Sequence, residues 1–247
     1  MTAFGCDARL VLGQAVVPEG GNEITAARAL LGLLDLEGVL VTGDAIHCQG
    51  ETAALIEERG GDWLFALRAN RPATLAEVER FFADPANPVA THTTTDADHG
   101  RLETRRHGVS HDVAWLLPDR GRRHPDDAPL PGLATLATVE SEVSRGGRTT
   151  RSRRFYLSSA ALTPERFADA VRAHWRIENS LHWVLDTTFD EDRARNRRDH
   201  GPENLATLRR LALNLLRTAR PTISIRRKRK RSGWSDDFAR SILGQMR

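Results

Sequence analysis

Lysine is nearly missing from this chain. Of its 36 basic residues only Lys228 and Lys230 are not arginine. Arginine grips phosphate bidentately, but so lopsided a ratio reflects GC-rich coding first. Cysteine is scarce too: Cys6 and Cys48 cannot build a disulfide framework, which suits a reducing cytosol. No run of about 18 apolar residues occurs, so no membrane span is expected. The first ten residues, Met1 to Leu10, lack the basic start and apolar stretch of a signal peptide. No internal repeat is present. Apolar residues recur in clear patterns, which excludes disorder over most of the chain.

What is present is an uneven charge. The 247 residues carry a formal net charge of only +3. Residues 1–98 hold 6 basic and 15 acidic side chains, whereas residues 99–247 hold 30 and 18, so the halves are −9 and +12. A basic C-terminal part hidden by a near-neutral total points to a polyanionic partner, with nucleic acid the first choice.

The first 88 residues alternate strand and helix patterns. Arg9 to Val17 reads as a strand, and Asn22 to Leu34 as a helix with Asn22 as N-cap. Val39 to Thr42 is a continuous apolar strand of the buried parallel kind. Glu51 to Arg59 is a helix closed by Gly60-Gly61, Trp63 to Leu67 another buried strand, and Thr74 to Phe82 a helix ended by Pro85 and Pro88. This order predicts an α/β sheet with crossover helices. Thr91 to Trp115, Ala134 to Ser144 and Thr149 to Ser158 then alternate, with turn signals at Pro118, Pro129, Pro131 and Gly146-Gly147, and predict an antiparallel β insertion. Helices return over Pro164 to about Phe189, Pro202 to about Ala219, and Trp234 to Met246.

Two acids stand in unusual places. Asp44 follows Val39-Leu40-Val41-Thr42-Gly43, at the edge where open α/β sheets bind ligands; capping of the next turn is the alternative. Glu178 falls in a helical stripe of Phe167, Val171, His174, Leu181 and Leu185, which predicts a core-facing carboxylate. Such a group must be protonated, paired with a base or bound to metal. Carboxylates from a strand end and a helix face suit Mg²⁺ or Mn²⁺, and two such ions support phosphodiester chemistry.

The segment from His174 to Asp186, His-Trp-Arg-Ile-Glu-Asn-Ser-Leu-His-Trp-Val-Leu-Asp, resembles the H-repeat-associated (ISAs-type) insertion-sequence transposases. These are DDE enzymes with an RNase H-like core. Val41 to Gln49, Asp98 to Arg106 and Asn204 to Leu216 resemble three further family segments, so the likeness covers nearly the whole chain in one order. The resemblance implies an α/β fold: an RNase H-like mixed sheet with flanking helices, an antiparallel β insertion and C-terminal helices. It implies that Asp44 is the second catalytic aspartate and Glu178 the catalytic glutamate, that both bind metal in a two-ion Mg²⁺ or Mn²⁺ site, and that the chemistry is DNA strand cleavage and transfer. It also implies homo-oligomers working on paired DNA ends in the bacterial cytoplasm, at the nucleoid.

Departures accompany the likeness. Relatives begin upstream with a strand that bears the first aspartate in an Asp-Gly-Lys context, whereas Met1-Thr2-Ala3-Phe4 resembles the middle of the next strand. Asp7 lies on a turn and does not take that role. The expectation is an N-terminally truncated transposase that lacks its first strand. Val171, His174 and Leu185 stand where related transposases carry Tyr, Arg and Lys, and Arg68-Ala69-Asn70-Arg71 stands in place of Lys-Gly-Asn-Gln. The expected division is 1–88 as the first part of the core, 89–160 as the insertion, 161–220 as the second part and 221–247 as a basic tail with a terminal helix.

DNA contact is assigned to Arg101, Arg105 and Arg106 beside His99 on the insertion, against a solvated charged face. His174 and Arg176 near Glu178, and Arg227 and Lys228 in the run Arg226 to Arg231, complete the set; a disordered linker is the alternative for that run. Trp175 and Trp183 read as core before base-stacking. His107 and His111 read as surface strand residues before a zinc site, and Cys48 as a packed turn residue before a catalytic thiol. Trp234, Phe238, Ile242 and Met246 form a helical stripe. Two rivals to transposition stand: a catalytically dead DNA-binding remnant, and a nuclease of the same core without strand transfer.

Overall fold

The structure, a computed structural model, describes residues 1–17, 21–98, 101–116 and 130–246. His99, Gly100, Pro118 and Pro129 lie outside the described residues. The chain forms two compact units, one of Leu31–His174 and one of Met1–Leu30 together with Trp175–Arg247.

The Leu31–His174 unit is built on a six-stranded sheet. Its strands are β3 (Leu40–Gly43), β4 (Asp62–Leu67), β5 (Ala90–Asp98), β6 (Arg101–Ser110), β7 (Thr135–Arg145) and β8 (Arg148–Ser158), in the order β3-β4-β8-β7-β6-β5. Only the β3–β4 pair is parallel, joined through α2 (Gly50–Glu58) as the crossover that parallel strands require. The strands expected as an insertion pair through β8 with β4, Leu64 opposite Ser158 and Leu67 opposite Phe155, so one mixed sheet carries both. The antiparallel meander follows the expected alternation, and its β7–β8 turn places Gly146 and Gly147 at φ 55 and 78°, where glycine bears no steric cost.

Helices cover both faces of this sheet. On one side α2 and α3 (Pro72–Ala83) bury Ile56, Val78 and Phe81 against Trp63, Phe65, Leu136, Phe155 and Leu157. On the other, α4 (Pro164–His174) lays Phe167 and Val171 on Val109, Val139 and Tyr156. This arrangement is a mixed α/β fold, consistent with the RNase H-like transposase fold expected from the sequence. His107 departs from expectation: it is buried on the α4 face with its ring edge-on to Phe167 at 6.0 Å. An aromatic knob from α4 covers the strand there, which alternation within β6 alone does not reveal.

The second unit begins with a hairpin of β1 (Thr2–Gly5) and β2 (Leu10–Gln14), which pair with each other and with no strand of the large sheet. The expected first strand is thus not part of the crossover sheet. Its partner is a helix: Asn214 of α6 (Gly201–Thr218) accepts from the Val11 N–H at 2.9 Å and donates to the Val11 carbonyl at 2.8 Å. A side-chain amide so takes the place of a neighbouring strand. Helix α1 (Glu23–Leu31) starts at Asn22, whose Oδ1 accepts from the Ile24 N–H at 2.9 Å as an N-cap should. The unit closes with α5 (Trp183–Phe189), α7 (Ile225–Ser232) and α8 (Asp236–Leu243). Phe238 and Ile242 are buried with Leu216 and Ala219, whereas Trp234 is exposed, and the Met246 side chain lies outside the described set.

Candidate active site and nucleic-acid interface

Strand β3 delivers Asp44 to the C-terminal edge of the sheet. Gly43 precedes it, and a Cβ there would press on Phe65 and His47 at 3.1 and 3.2 Å, so the tight exit calls for glycine. A 3-10 turn, Ala45–His47, follows and is tied down by Asn70, whose amide donates to the Ala45 carbonyl at 2.6 Å. Cys48 packs in the core beneath, as expected. The Asp44 side chain is 65% exposed, and the turn shows no side-chain cap from it, which removes the capping alternative. It meets His174 at the end of α4, Nε2 to Oδ1 at 3.5 Å, while His174 Nδ1 sits 3.1 Å from Thr42 Oγ1. Thr42 and Asp44 project to the same side of β3, so one imidazole braces the carboxylate against its own strand. Thr42 escaped the sequence reading, although this alternation is the signal that would have found it.

Tyr156, level with this edge on the α4 face, is buried, which pushes its hydroxyl pKa up. Arg154 and Arg68 oppose that shift and Asp44 adds to it.

Glu178 belongs to the other unit. The helix expected over Pro164 to Phe189 is interrupted at Trp175 and contains a π turn, Glu178–His182, before α5. A π turn holds more residues than an α turn, so the 3-and-4 spacing no longer keeps one face. Leu181 and Leu185 are fully buried, but the Glu178 side chain is 57% exposed and pairs with His182, Nδ1 to Oε2 at 3.3 Å. The predicted core-facing carboxylate is therefore a solvent-facing one. Trp175 and Trp183 are likewise exposed and not core. Farther along, burial raises the Asp186 carboxyl pKa, and Asp192 beside it adds to that shift.

Among the described residues no three His, Cys, Asp or Glu side chains cluster around one point. Asp44 and Glu178 nonetheless fit a hard divalent ion in kind. Both are exposed carboxylates held by imidazoles and not by guanidinium groups, and Mg²⁺ takes few protein oxygens and keeps several waters.

The basic residues assigned to DNA fall into different settings. Arg101 and Arg105 both bind the buried Glu103, each at 2.8 Å. Arg106 projects from the opposite face of the sheet towards Glu140 at 3.9 Å. Arg176 is exposed. The run Arg226 to Arg231 lies in α7, a helix capped by Ser224, with Arg227 exposed. Lys228 points the other way: it is 4% exposed and donates to the Leu216 carbonyl at 2.8 Å and to the Ala219 carbonyl. Those groups end α6, so Lys228 serves there as a C-terminal helix cap, and burial pushes its pKa down.

The transposase DDE domain family matches residues 2–215. The chain belongs to that family. This DDE domain is 34% identical over 247 residues to the H repeat-associated putative transposase YhhI of Escherichia coli strain K12, with 98% of the chain and 65% of the relative covered. It is equally similar, at 34% over 247 residues, to the Escherichia coli putative protein YbfL, again covering 98% and 65%. The chain spans about two thirds of the length of these relatives.

Proposed function

We propose that this DDE domain cleaves DNA and transfers strands during insertion-sequence transposition, with Asp44 and Glu178 as metal-binding catalytic carboxylates. The observation that carries this reading is Asp44: an exposed carboxylate at the C-terminal end of β3, braced by His174, in a chain of the DDE family. Strand β3 is parallel to β4 as expected, but it is a half-buried edge strand and not a buried one, because β4 covers only one of its sides. Asp44 and Glu178 would hold Mg²⁺ or Mn²⁺. When bound, such an ion activates a water or 3′-hydroxyl and stabilises the leaving oxygen. The chain's own part is orientation. Thr42 fixes His174, and His174 keeps the Asp44 carboxylate from rotating away from the sheet edge. His182 does the same for Glu178. Arg176, Arg227 and, on the α4 face of the sheet, Arg101 and Arg105 hold the DNA backbone, whereas Arg106 faces Glu140 on the other side; two copies work on paired ends.

The test is incubation of the purified chain with labelled DNA carrying the element's ends and Mn²⁺. Cleavage and joined products are expected, with losses on the order of 10³-fold or more in Asp44→Asn and Glu178→Gln, since each removes a direct metal ligand. Cleavage that persists in Asp44→Asn overturns that residue's role. Cleavage without joined products favours the nuclease, and DNA binding without cleavage favours the inactive remnant.

A further inference from the structure

The two faces of the meander treat their arginines differently. On the α2–α3 face the charges interlock: Arg106 and Arg153 flank Glu140 at 3.9 and 3.1 Å, and Arg151 meets Glu142 at 2.8 Å. That face answers its own positive charge with an acid in nearly every row. The α4 face does so only near its middle, where Glu103 and Asp96 hold Arg101, Arg105 and Arg172.

At the outer end of the α4 face the pattern breaks. Arg101 on β6 lies directly opposite Arg145 on β7, and Arg145 directly opposite Arg148 on β8. Directly opposed residues share a face with their Cβ atoms about 5 Å apart, and like charges placed so are destabilising. Asp98 follows in register on β5. Arg145 and Arg148 are exposed and form no ion pair with any described residue. Arg101 keeps its bond to Glu103, but Arg145 and Arg148 stand abreast of it with no acid to answer them, next to a Gly146-Gly147 turn that could have taken any charge pattern, and the fold itself does not call for these two.

The row also lies in a definite place relative to Asp44. Gly43 is opposite Phe65 and Phe65 opposite Leu157, so Asp44 leaves the sheet level with Tyr156. Strand β8 runs antiparallel to β4 and reaches Arg148 eight residues beyond Tyr156, on the same face. At about 3.3 Å per residue this is roughly 26 Å, or about eight base-pair steps of a duplex. Arg154, two residues from Tyr156 on that face, lies between them. An extended, regularly charged polyanion fits such a spacing; a small anion does not.

We propose that the Arg101–Arg145–Arg148 row is a backbone contact for duplex DNA, holding the duplex along the α4 face of the meander about eight base pairs outward from Asp44. It deepens the transposition reading, on which it rests, and assigns the sheet's DNA contact to one face. Arg106 belongs to the other.

The test compares two doubly substituted full chains of equal net charge, Arg145→Gln/Arg148→Gln and Arg106→Gln/Arg151→Gln. Binding to a fluorescein-labelled duplex of about 30 base pairs is followed by anisotropy from roughly 50 to 200 mM NaCl. The first variant is expected to weaken binding about tenfold or more and to flatten the log K against log[salt] slope by about 1.8, two phosphate contacts at about 0.9 each. The second is expected to keep the slope of the unmodified chain. Equal flattening in both variants would show a net-charge effect and overturn the row, while leaving DNA binding intact. An unmodified chain without salt-dependent binding would overturn the DNA reading along with it. Thermal unfolding supplies a separate arm: removal of two like-charge pairs should leave the first variant's melting temperature unchanged or higher. A fall would make these arginines structural and overturn the proposal.

Discussion

His107 shows how one side chain sets a pH limit. It is 3% exposed, wedged between Phe167 of α4 and the His92 ring on β5. Burial lowers its pKa below the ordinary 6.5; a bond to the His92 backbone opposes this, and the charges of His92, Arg105 and Arg172 add to it. The unfolded chain therefore takes up a proton at a pH where the folded chain still refuses it. Stability from this group is complete above about pH 6.5 and is lost as pH falls towards the folded value. Melting temperatures measured at about pH 7.5 and pH 5 should differ less in His107→Leu than in the unmodified chain. An unchanged difference would show that His107 titrates as if exposed. At this scale the place of Asp44 at the sheet edge was legible, because the apolar pattern Val39 to Thr42 and then Gly43 mark the strand's end just before it. The orientation of Glu178 was not, since a π turn leaves no mark in a 3-and-4 spacing.

At the scale of the element, α7 separates two jobs within one basic run. Its exposed side carries Arg227, and its buried side carries Lys228 beneath the last carbonyls of α6. Composition alone cannot tell these apart, since both are cations in the same six-residue run. Lys228→Met keeps the stem but leaves the Leu216 and Ala219 carbonyls without their donor, and should cost about 1–3 kcal/mol in chemical denaturation. Arg227→Gln should stay within about 0.5 kcal/mol. A reversed order would refute the cap. The strands were the most legible elements: β3, β4, β7 and β8 appear close to their expected bounds because each has either an apolar run or clean alternation, whereas the stretch expected over Thr91 to Trp115 divides into β5 and β6, with Trp115 in a 3-10 turn beyond them. What the pattern could not supply was partnership. Nothing local in β8 says that it joins β4, or in β2 that its neighbour is a helix.

For the molecule as a whole, the opening charge asymmetry has acquired a location. The acidic first 98 residues include β3, α2, β4 and α3, and the basic remainder supplies the arginines of the β6–β8 meander and α7. The family was legible in the His174 to Asp186 segment, where the order of residue types is dense and specific. The division into units was not, because one of them is assembled from both ends of the chain. Asn214 is the link that makes this division testable. In Asn214→Ala both Val11 backbone groups lose their partner, and amide exchange should accelerate through the β1–β2 hairpin while the six-stranded sheet keeps its protection. Faster exchange throughout would mean that the units open together.

The Val11–Asn214 clasp bridges 203 positions of sequence. A ribosome adding about 5–20 residues per second needs on the order of ten seconds or more to make what lies between. Throughout that interval the hairpin has emerged without the helix that completes it, and Phe4 and Val11, which later pack with Leu181, Leu185 and Leu213, have nothing to cover them. The unit that carries Glu178 is thus finished after the six-stranded sheet, and its early segment spends that interval with apolar surface uncovered.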